Sequence, residues 1–494
     1  MPPPSITEVR TPQSRCRFAL AWADITPPPG IYHRMWGAAK HERATGVHRP
    51  LRATVAMFEA TDAEGLSPDT RQILLALDHC VLGSVEHEQL VRHVAEVSGQ
   101  SKETILVVFS HTHAAGLMGL ERESLPGGDL IPGYLRAVAG QAAALVKECA
   151  GRLTRADIVY GQGRCDLAAH RDFFDEQKNQ FVCGYNPGGP ADDTVLVARV
   201  TNESGDVLAT IVNYACHPTT LAWDNTLISP DYVGALREVV EQATGAPCLF
   251  LQGASGELGP REGYVGETAV ADRNGRQLGF AALSALTALP PAGTLFQYAG
   301  PVVSGATLGA WAHEPLPANE AQRKQLWQLS RWREPLPYRP GRPTVEQVEA
   351  ELKQFQADED AARRADDSAR AADCRAMAER KRRLLYRLSQ VPAGEAFPLQ
   401  VVVWRMGDAF WVGVQGESYS LLQTELRRRF PGTPIVVASI AADWGASYLP
   451  MRNIYGTGIY QESIAVVAAG SLEQLIESVA RRIGTEEMSS SEKK

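Results

Sequence analysis

The stretch that decides the fold is Ile105-Leu106-Val107-Val108-Phe109-Ser110-His111-Thr112-His113. Its apolar run predicts a buried strand over 105–109, with the two histidines at or just past the C-terminal end. In open α/β sheets, ligands and catalytic groups collect at that end of the strands. Alternation along an extended segment would send His111 and His113 to one side of the chain and Thr112 to the other. The pair predicts half of a metal site or an acid–base pair. The structural alternative is a polar turn whose histidines bond to backbone carbonyls.

Two further strand ends carry metal-binding residue types. Residues 207–214 predict a strand that stops before Pro218, because proline cannot donate to a sheet ladder, and His217 lies at that terminus. Residues 409–414 predict another strand, which leads into Glu417. Imidazole and carboxylate suit zinc, and three protein ligands with one open position is the arrangement of a catalytic zinc site.

Strands and helices alternate along the chain. Strands are predicted at 53–58 and 73–78, and helices at 86–97, 132–149 and 232–243. This alternation predicts an α/β fold of layered mixed β-sheets flanked by helices.

One segment, residues 314–388, interrupts the alternation. Its first part, 314–342, is rich in Pro, Trp and Arg, and its second part, 343–388, is dense in Ala, Glu, Arg and Gln, which predicts an inserted helical hairpin. Thr344 and Gln347 have the spacing of a capping box at its start. Its charged faces are expected to be solvated or to pack against a partner subunit in a homo-oligomer. Alternatively, the hairpin helps to wall the active site.

Composition excludes several classes of function. The net charge of −8 and the lack of a basic run argue against nucleic-acid binding and give no electrostatic reason to adhere to an anionic membrane. No stretch approaches the ~20 apolar residues of a membrane span, and the N-terminus lacks the apolar region of a signal peptide. The eight cysteines are scattered without a CxxC pair, which predicts reduced thiols in a cytoplasmic protein.

A series of motifs resembles, in order, those of the neutral/alkaline (non-lysosomal) ceramidases, which are zinc amidases. Segment 109–116, FSHTHAAG, is similar to their THTHSG segment, and 225–234, NTLISPDYVG, closely follows their NTLxSxDxxGY. Weaker matches are ADITP at 23–27, GVHRPLRA at 46–53, AHRD at 169–172 with NP at 186–187, QGE at 415–417, DWGASY at 443–448, Tyr455, and YQE at 460–462. The similarity spans about residues 17 to 475 and includes no match to the β-sandwich domain that follows the catalytic domain in that family.

The resemblance implies a set of site residues. The family's zinc ligands fall on His111, His217, Glu417 and Tyr448. His113 and Arg171 match positions beside the metal that contact the substrate or the developing oxyanion. An arginine there is chemically reasonable, because a fixed cation stabilises charge that appears in the transition state.

One departure from the family affects the mechanism. The ceramidases have a GDVSP segment whose serine is assigned the catalytic role, and here Gly259 occupies that serine position and Glu257 the aspartate position. Ser255 lies four residues earlier and is not expected to replace the missing serine. Residues 250–256 predict a strand that runs into a glycine-rich loop, whose backbone could approach a substrate closely; the alternative is a simple tight turn. Gly259 and Ser255 are therefore candidate substrate-binding positions, and Gly259 is expected to leave space beside the metal.

A mechanism without the serine is available. Zinc lowers the pKa of a water molecule that it binds toward ~7, so that water itself can attack a carbonyl. The step needs a general base, for which His113 and Glu257 are the candidates, and strand geometry favours His113. Tyr448 could also donate a proton to a leaving group.

The sequence therefore predicts a cytoplasmic zinc-dependent hydrolase that cleaves an amide or ester bond in a soluble, polar small molecule. The alternatives are a zinc hydrolase or lyase acting on a carbohydrate or uronic-acid derivative, a true ceramidase, and a metal-binding homologue without activity. The expected organisation is a disordered N-terminus at 1–16, a catalytic domain at 17–484 that includes the insertion at 314–388, and a disordered tail at 485–494.

Overall fold

Two β-sheets packed face to face form the centre of the fold, and helices cover the outer face of each sheet. The structure is a computed structural model that describes residues 6–62 and 67–491. In chain order the strands are β1 Glu8–Val9, β2 Gln13–Asp24, β3 Gly46–Val47, β4 Arg52–Glu59, β5 Arg71–Leu77, β6 Ile105–Phe109, β7 Thr154–Arg164, β8 Ala168–His170, β9 Asp172–Asp175, β10 Gln180–Cys183, β11 Thr194–Thr201, β12 Val207–Tyr214, β13 Leu227–Ile228, β14 Cys248–Gln252, β15 Leu258–Pro260, β16 Thr294–Ser304, β17 Ala306–Pro315, β18 Trp327–Pro337, β19 Ala396–Met406, β20 Ala409–Val414, β21 Glu417–Ser418, β22 Ile435–Ala438 and β23 Tyr448–Leu449.

The helices fill the connections between these strands. They are α1 Ser84–Ser98, α2 Ile131–Arg152, α3 Tyr232–Thr244, α4 Thr268–Thr287, α5 Ala318–Arg323, α6 Val345–Arg364, α7 Ser368–Ser389, α8 Leu421–Arg429, α9 Tyr460–Ile464 and α10 Ser471–Ser491. Short 3-10 turns lie at Lys102–Thr104, Leu120–Arg122, Gly128–Leu130 and Arg452–Ile454.

The larger sheet has eight strands in the order β14-β12-β11-β7-β2-β4-β5-β6, and the smaller has four in the order β18-β19-β20-β22. Both sheets are mixed: β5 runs parallel to β6, β12 to β14 and β20 to β22, whereas the other neighbouring pairs are antiparallel. The predicted α/β fold of layered mixed sheets flanked by helices is therefore confirmed. The predicted strands at 53–58, 73–78, 105–109, 207–214 and 409–414 and the predicted helices at 86–97, 132–149 and 232–243 are all present to within a few residues.

Strand periodicity explains the layers. On β4, Ala56 and Phe58 face the four-stranded sheet, whereas Val55 and Met57 face the helices. Both faces are apolar because each face of the eight-stranded sheet is covered, which is why this strand has no polar alternation. Helices α1 and α2 cover one half of its outer face, α3 and α4 cover the other half, and α8 and α10 cover the outer face of the four-stranded sheet.

The two ends of the chain differ from the sequence-based expectation. Strand β2 begins at Gln13, inside the stretch 1–16 that was predicted to be disordered, because Gln13 and Ser14 are buried and hydrogen-bonded although they are polar. The Gln13 amide donates to the Thr294 carbonyl at 2.8 Å, and the Ser14 hydroxyl bonds to Tyr160 at 3.0 Å. Helix α10 likewise continues through most of the predicted tail at 485–494. Residues 1–5, 63–66 and 492–494 lie outside the described residues.

The predicted helical hairpin is formed by α6 and α7, and the capping box at its start is confirmed. The Thr344 hydroxyl accepts from the Gln347 amide at 3.2 Å, and the Gln347 side chain accepts from the Thr344 amide at 2.9 Å. The hairpin packs on its own chain through polar contacts, such as the one between the Tyr386 hydroxyl and Glu86 at 2.7 Å. Assembly with a second copy through 343–388 stays a prediction.

The sequence predicted reduced cysteines and no membrane-spanning segment. All eight cysteines fall in the described ranges and are free thiols. Within residues 6–62 and 67–491, no helix combines the length and the apolar character that crossing a bilayer requires.

We expect the contact between the two sheets to dominate stability. Trp404 and Trp411 are fully buried there and stack with ring centroids 5.4 Å apart. Trp404→Ala should lower the free energy of unfolding by about 3–5 kcal/mol, because it deletes a large side chain from a close-packed layer. The matched control is Trp22→Ala, which removes an indole that is 47% exposed on β2 and should cost under about 1 kcal/mol. Chemical denaturation followed by circular dichroism measures both; equal losses would contradict the assignment of this layer as the principal core.

Candidate metal centre

Three strands of the two sheets deliver side chains to one buried point. His111 follows β6, His217 follows β12, and Glu417 lies three residues after β20 ends at Val414. The candidate ligand atoms of these three residues all lie within 4.8 Å of one another. The structure thus brings the three strand-end residues together.

The backbone at His111 differs from the expected extended segment. Its φ is +66°, in the left-handed region that non-glycine residues seldom adopt. The His111 amide donates to the His79 carbonyl at 2.9 Å, which holds this conformation. The two histidines are therefore not brought together by the alternation of side chains along an extended strand, as the sequence analysis assumed. The turn nevertheless brings both rings to the same cavity, with centroids 5.0 Å apart.

The polar atoms of the four candidate ligands lie within contact distance of one another. Glu417 Oε2 lies 3.1 Å from His217 Nε2 and 3.4 Å from His111 Nε2. The Tyr448 hydroxyl lies 3.4 Å from His217 Nε2. All four residues are buried.

Hydrogen bonds on the far side of each imidazole orient the Nε2 atoms. His111 Nδ1 lies 2.7 Å from the Cys80 carbonyl, and His217 Nδ1 lies 2.7 Å from the Ser255 carbonyl. A carbonyl only accepts, so each Nδ1 carries a proton, and the Nε2 of a neutral ring presents a lone pair. Although burial opposes the shift, Cys80 and Glu417 raise the pKa of His111 well above its usual value, which favours a cation at this position. Burial lowers the pKa of His217 to about 3, which keeps that ring neutral.

This arrangement provides a test of whether a metal fits. The His217 lone pair faces the Glu417 carboxylate at 3.1 Å, so two acceptors oppose each other. The Nε2 of His111 is buried and has no hydrogen-bond partner in the part of the chain that is described. A cation between these atoms satisfies all of them, and the donor set of two imidazoles, a carboxylate and a phenol is compatible with zinc.

Glu417 and Tyr448 are held together by backbone pairing. Strand β21 runs parallel to β23 with Glu417 opposite Tyr448. The preceding residue, Gly416, has φ +84°, and a Cβ there would lie 2.8 Å from the Ser447 carbonyl oxygen. Only glycine allows the backbone to approach Ser447 this closely, so Gly416 is required for the register that brings the two side chains together.

Arg171 adjoins the cluster on the side of Tyr448. Its guanidinium donates to the Tyr448 hydroxyl at 3.0 Å and to the Gly256 carbonyl, and its Nε has no partner among residues 6–62 and 67–491. The side chain is buried and lines the same cavity as His111 and His113. A fixed cation therefore lies at the edge of the candidate metal site.

Ser255, and Glu257 and Gly259 at the positions that match the GDVSP segment, lie apart from the cavity lining. The Ser255 hydroxyl is 3.3 Å from His217 Nδ1, on the side of the ring opposite Nε2, and accepts from Gln252 at 2.7 Å. Glu257 accepts from the Ser420 amide at 2.9 Å and from its hydroxyl, at the start of α8. A Cβ at Gly259 would make ordinary contacts with Thr219 Oγ1 at 3.6 Å and Arg171 Cδ at 3.8 Å.

A cavity of about 700 Å³ opens over the cluster. The aromatic residues in its wall are Trp36, Trp223, Tyr264, Trp444, Tyr448 and Tyr460. Helices α6 and α7 supply charged residues to the same wall, namely Glu351, Glu379, Arg380, Lys381, Arg383 and Arg387. The inserted hairpin therefore walls the cavity, which was the second of the two placements considered for it.

Two residues near the candidate metal site were not found by sequence reasoning. Cys80 lines the cavity, and its carbonyl orients His111. Trp36 packs against His113 with ring centroids 5.2 Å apart. Neither residue directly ends an apolar strand, which is the pattern that identified the other site residues. Cys80 does follow the predicted strand 73–78, and Trp36 follows the ADITP motif at 23–27. Cys216, which precedes His217, is buried, and its thiol bonds to the His217 carbonyl at 3.7 Å.

Comparison with known proteins gives one sequence relative of note and two related solved structures. No family model matches the chain. A neutral ceramidase of Pseudomonas aeruginosa is 22% identical over 263 residues, which make up 49% of this chain and 37% of that protein.

The structural similarity covers nearly the whole chain. The crystal structure of neutral ceramidase from Pseudomonas aeruginosa has a TM-score of 0.62 at 17% identity and covers 96% of this chain and 74% of that one. A ceramidase complexed with C2 has a TM-score of 0.60 at 16% identity, with coverage of 95% and 74%. The chain therefore shares its fold with neutral ceramidase.

Proposed function

We propose that this chain is a cytoplasmic zinc-dependent hydrolase related to the neutral ceramidases, which cleaves an amide or ester bond in a polar small molecule. The observation that carries the proposal is the buried meeting of His111 Nε2, His217 Nε2 and Glu417 Oε2, three atoms able to ligate a metal that lie within 4.8 Å of one another. Such a group is costly to bury without a cation. The shared fold supports the hydrolase assignment.

Each residue of the cluster has a role in this proposal. His111, His217, Glu417 and Tyr448 would hold the zinc ion. When bound, zinc supplies a Lewis acid that polarises a carbonyl and lowers the pKa of water. Arg171 is fixed beside Tyr448 at 3.0 Å, where its positive charge would stabilise the oxyanion that develops on the substrate carbonyl.

His113 is the better candidate for the general base. Its Nε2 is buried without a hydrogen-bond partner in the described ranges, and its ring lines the cavity beside His111. Both carboxylate oxygens of Glu257 instead accept hydrogen bonds from Ser420 at the start of α8. The two candidates from the sequence are therefore unequal: His113 lines the cavity, although burial and the neighbouring His111 lower its pKa well below the usual value, whereas Glu257 supports a helix.

The charged side of the cavity wall supports a substrate that carries polar groups, whereas the aromatic side can contact an acyl chain. The hairpin α6–α7 lines one side of the cavity with ionic side chains, among them Lys381 and Arg383. An acyl chain and a sphingoid chain would bury apolar surface against these charges, which must lose part of their hydration. Short acyl amides and esters with polar groups fit this wall better.

The first prediction tests the metal site. Purified protein should contain about one zinc ion per chain by plasma emission spectrometry, and His217→Ala should lose most of that zinc and at least ~100-fold of the hydrolytic activity. The matched control is His93→Ala, which removes an exposed histidine from α1 and should keep both. Zinc retained in full by His217→Ala would remove His217 from the site.

The function itself is tested with a substrate panel. Wild-type protein loaded with zinc is assayed on short acyl amides, acyl esters, uronic-acid glycosides and short-chain ceramide. We expect turnover of polar acyl amides or esters, with ceramide the poorer substrate. Efficient ceramide cleavage would overturn the polar-substrate proposal, and cleavage of glycosides alone would overturn the amide or ester assignment.

A second prediction separates the two base candidates. His113→Ala should lower kcat by at least ~100-fold, the usual contribution of a general base, whereas Glu257→Gln should keep activity within ~10-fold. The zinc content of both variants is the control, because loss of metal would mimic loss of a base. The reverse ranking of the two variants would assign the base role to Glu257.

Glu257 should be visible in the pH dependence of stability instead. Burial raises the pKa of Glu257 to about 7 from 4.5, although the Ser420 hydrogen bonds oppose the shift. The folded protein therefore binds this proton more tightly than the unfolded chain, and the associated stability is present below about pH 4.5 and lost as the pH rises through about 7. Glu257→Gln removes that dependence, so its stability relative to wild type should improve by on the order of 2–3 kcal/mol between pH 4.5 and 8. Denaturation curves of both proteins at the two pH values measure this difference. The same difference in unfolding free energy between variant and wild type at both pH values would contradict the prediction.

A further prediction concerns the missing serine. Ser255 bonds to the Nδ1 side of His217, away from the point where the ligand atoms meet. Ser255→Ala should therefore keep activity within ~10-fold, since water and not this hydroxyl would attack the substrate. Mass spectrometry after incubation with an activated acyl ester is the check; a covalent acyl group on Ser255 would restore a serine mechanism.

A further inference from the structure

Arg387 is a buried cation in the wall of the active-site cavity. It lies in the last turn of α7 and is 8% exposed, and it lines the same cavity as His111, Glu417 and Tyr448. The proposed mechanism gives it no role.

Its charge has no ion-pair partner among the described residues. The Arg387 guanidinium forms no side-chain hydrogen bond with them either, and its Nε is buried and unsatisfied. Its neighbours on the same helix differ: Lys381 is paired with Glu351, and Arg383 bonds to Glu379 at 3.0 Å. A buried and uncompensated charge costs stability, so folding alone does not account for it.

Trp444 holds the guanidinium in place. The Arg387 Cζ lies 4.7 Å from the centroid of the Trp444 ring, which also lines the cavity. Stacking on an indole fixes the plane of the guanidinium while leaving its edge donors free. A structural role for Arg387 is the alternative explanation, because a cation in the last turn of a helix interacts favourably with the helix dipole. That alternative does not explain why the side chain is buried in the cavity.

The geometry of the guanidinium indicates the kind of ligand. The acids that the hairpin places on this wall, Glu351 and Glu379, are already paired with cations of the hairpin, so neither neutralises Arg387. The planar fork of arginine matches the two oxygens of a carboxylate.

We propose that Arg387 binds a carboxylate of the substrate and thereby selects acyl amides or esters that carry a carboxylate close to the scissile bond. N-acyl amino acids are the simplest members of this class. The inference rests on the proposed function for the identity of the bond that is cleaved, but binding of the anion does not require the reaction to occur.

The test measures binding separately from catalysis. Chelator-treated and zinc-loaded protein are titrated by calorimetry with N-octanoylglycine, its neutral amide N-octanoylglycinamide, and the dianionic phosphonate analogue N-octanoylaminomethylphosphonate. N-octanoyl-β-alanine extends the series by one methylene. Wild type should bind the best carboxylate about 10- to 100-fold more tightly than the neutral amide, the range expected for charge-assisted hydrogen bonds.

Variants assign that preference to Arg387. Arg387→Met should remove the preference for the acid over the amide, and Arg387→Lys should keep part of it. The matched control is Arg380→Met, an exposed arginine on the same helix and cavity wall that bonds only to Ser463, and it should keep the preference. Thermal unfolding adds a readout that a structural role would reverse: Arg387→Met should match or exceed the melting temperature of wild type, because it removes an uncompensated buried charge.

Each outcome has a definite meaning. Equal affinity of wild type for acid and amide, tighter binding of the phosphonate than of both carboxylates, or an unchanged preference in Arg387→Met would overturn the proposal. A lower melting temperature together with equal loss of acid and amide binding would assign Arg387 a structural role. If Arg387→Met does not fold, the preference of wild type and its reduction in Arg387→Lys decide. A carboxylate preference without any hydrolysis would leave the anion site intact and reject the proposed function.

Discussion

Two imidazole nitrogens and one carboxylate oxygen face one another in a buried space, and much of the surrounding structure serves to hold them there. His111 and His217 are turned by backbone carbonyls at 2.7 Å, so their orientation does not depend on mobile side chains. The segments that carry these groups adopt costly backbone conformations: His111 and Ser447 both have positive φ. Strained residues persist when the surrounding structure fixes them, and they concentrate at functional sites.

The four-layer architecture supplies that fixation. His111 and His217 leave the eight-stranded sheet, whereas Glu417 leaves the four-stranded sheet, so the site exists only where the two sheets meet. Backbone contacts join the sheets at this place: Val108 bridges to Ala441, and the Ala442 amide donates to the Val107 carbonyl at 2.8 Å. A relative shift of the sheets by even 1 Å would separate the ligand atoms, which makes the packing of the shared core a condition of the site.

Sequence patterns predicted the fold better than the details of the site, for physical reasons. Strands such as β6 are recognisable because their apolar residues are continuous, and the residues that follow them are placed by strand direction alone. The conformation of His111 could not be predicted, because a left-handed residue held by His79 depends on a contact across the sheet. The hydrogen-bond partner of Glu257 could not be predicted for the same reason, because Ser420 is distant in sequence and adjacent only in the fold.

The helical hairpin shows a different limit of sequence reasoning. Its charge-rich composition favours a solvated surface, yet Glu379 is only 3% exposed, because Arg122, Arg382 and Arg383 surround it. Although burial opposes the shift, these arginines lower the pKa of Glu379 to about 2, so the carboxylate stays ionised inside the wall.

A buried ionic cluster of this kind contributes little net stability but accepts only one geometry, since displacing either partner exposes an unpaired charge to an apolar surrounding. The cluster therefore fixes where α7 lies over the cavity. Because Glu379 is already satisfied by three arginines, it is not available to neutralise Arg387, which lies eight residues further along the same helix. The same contacts that dock the hairpin leave Arg387 without an acidic partner from α7, so the position of the wall and its charge are set together.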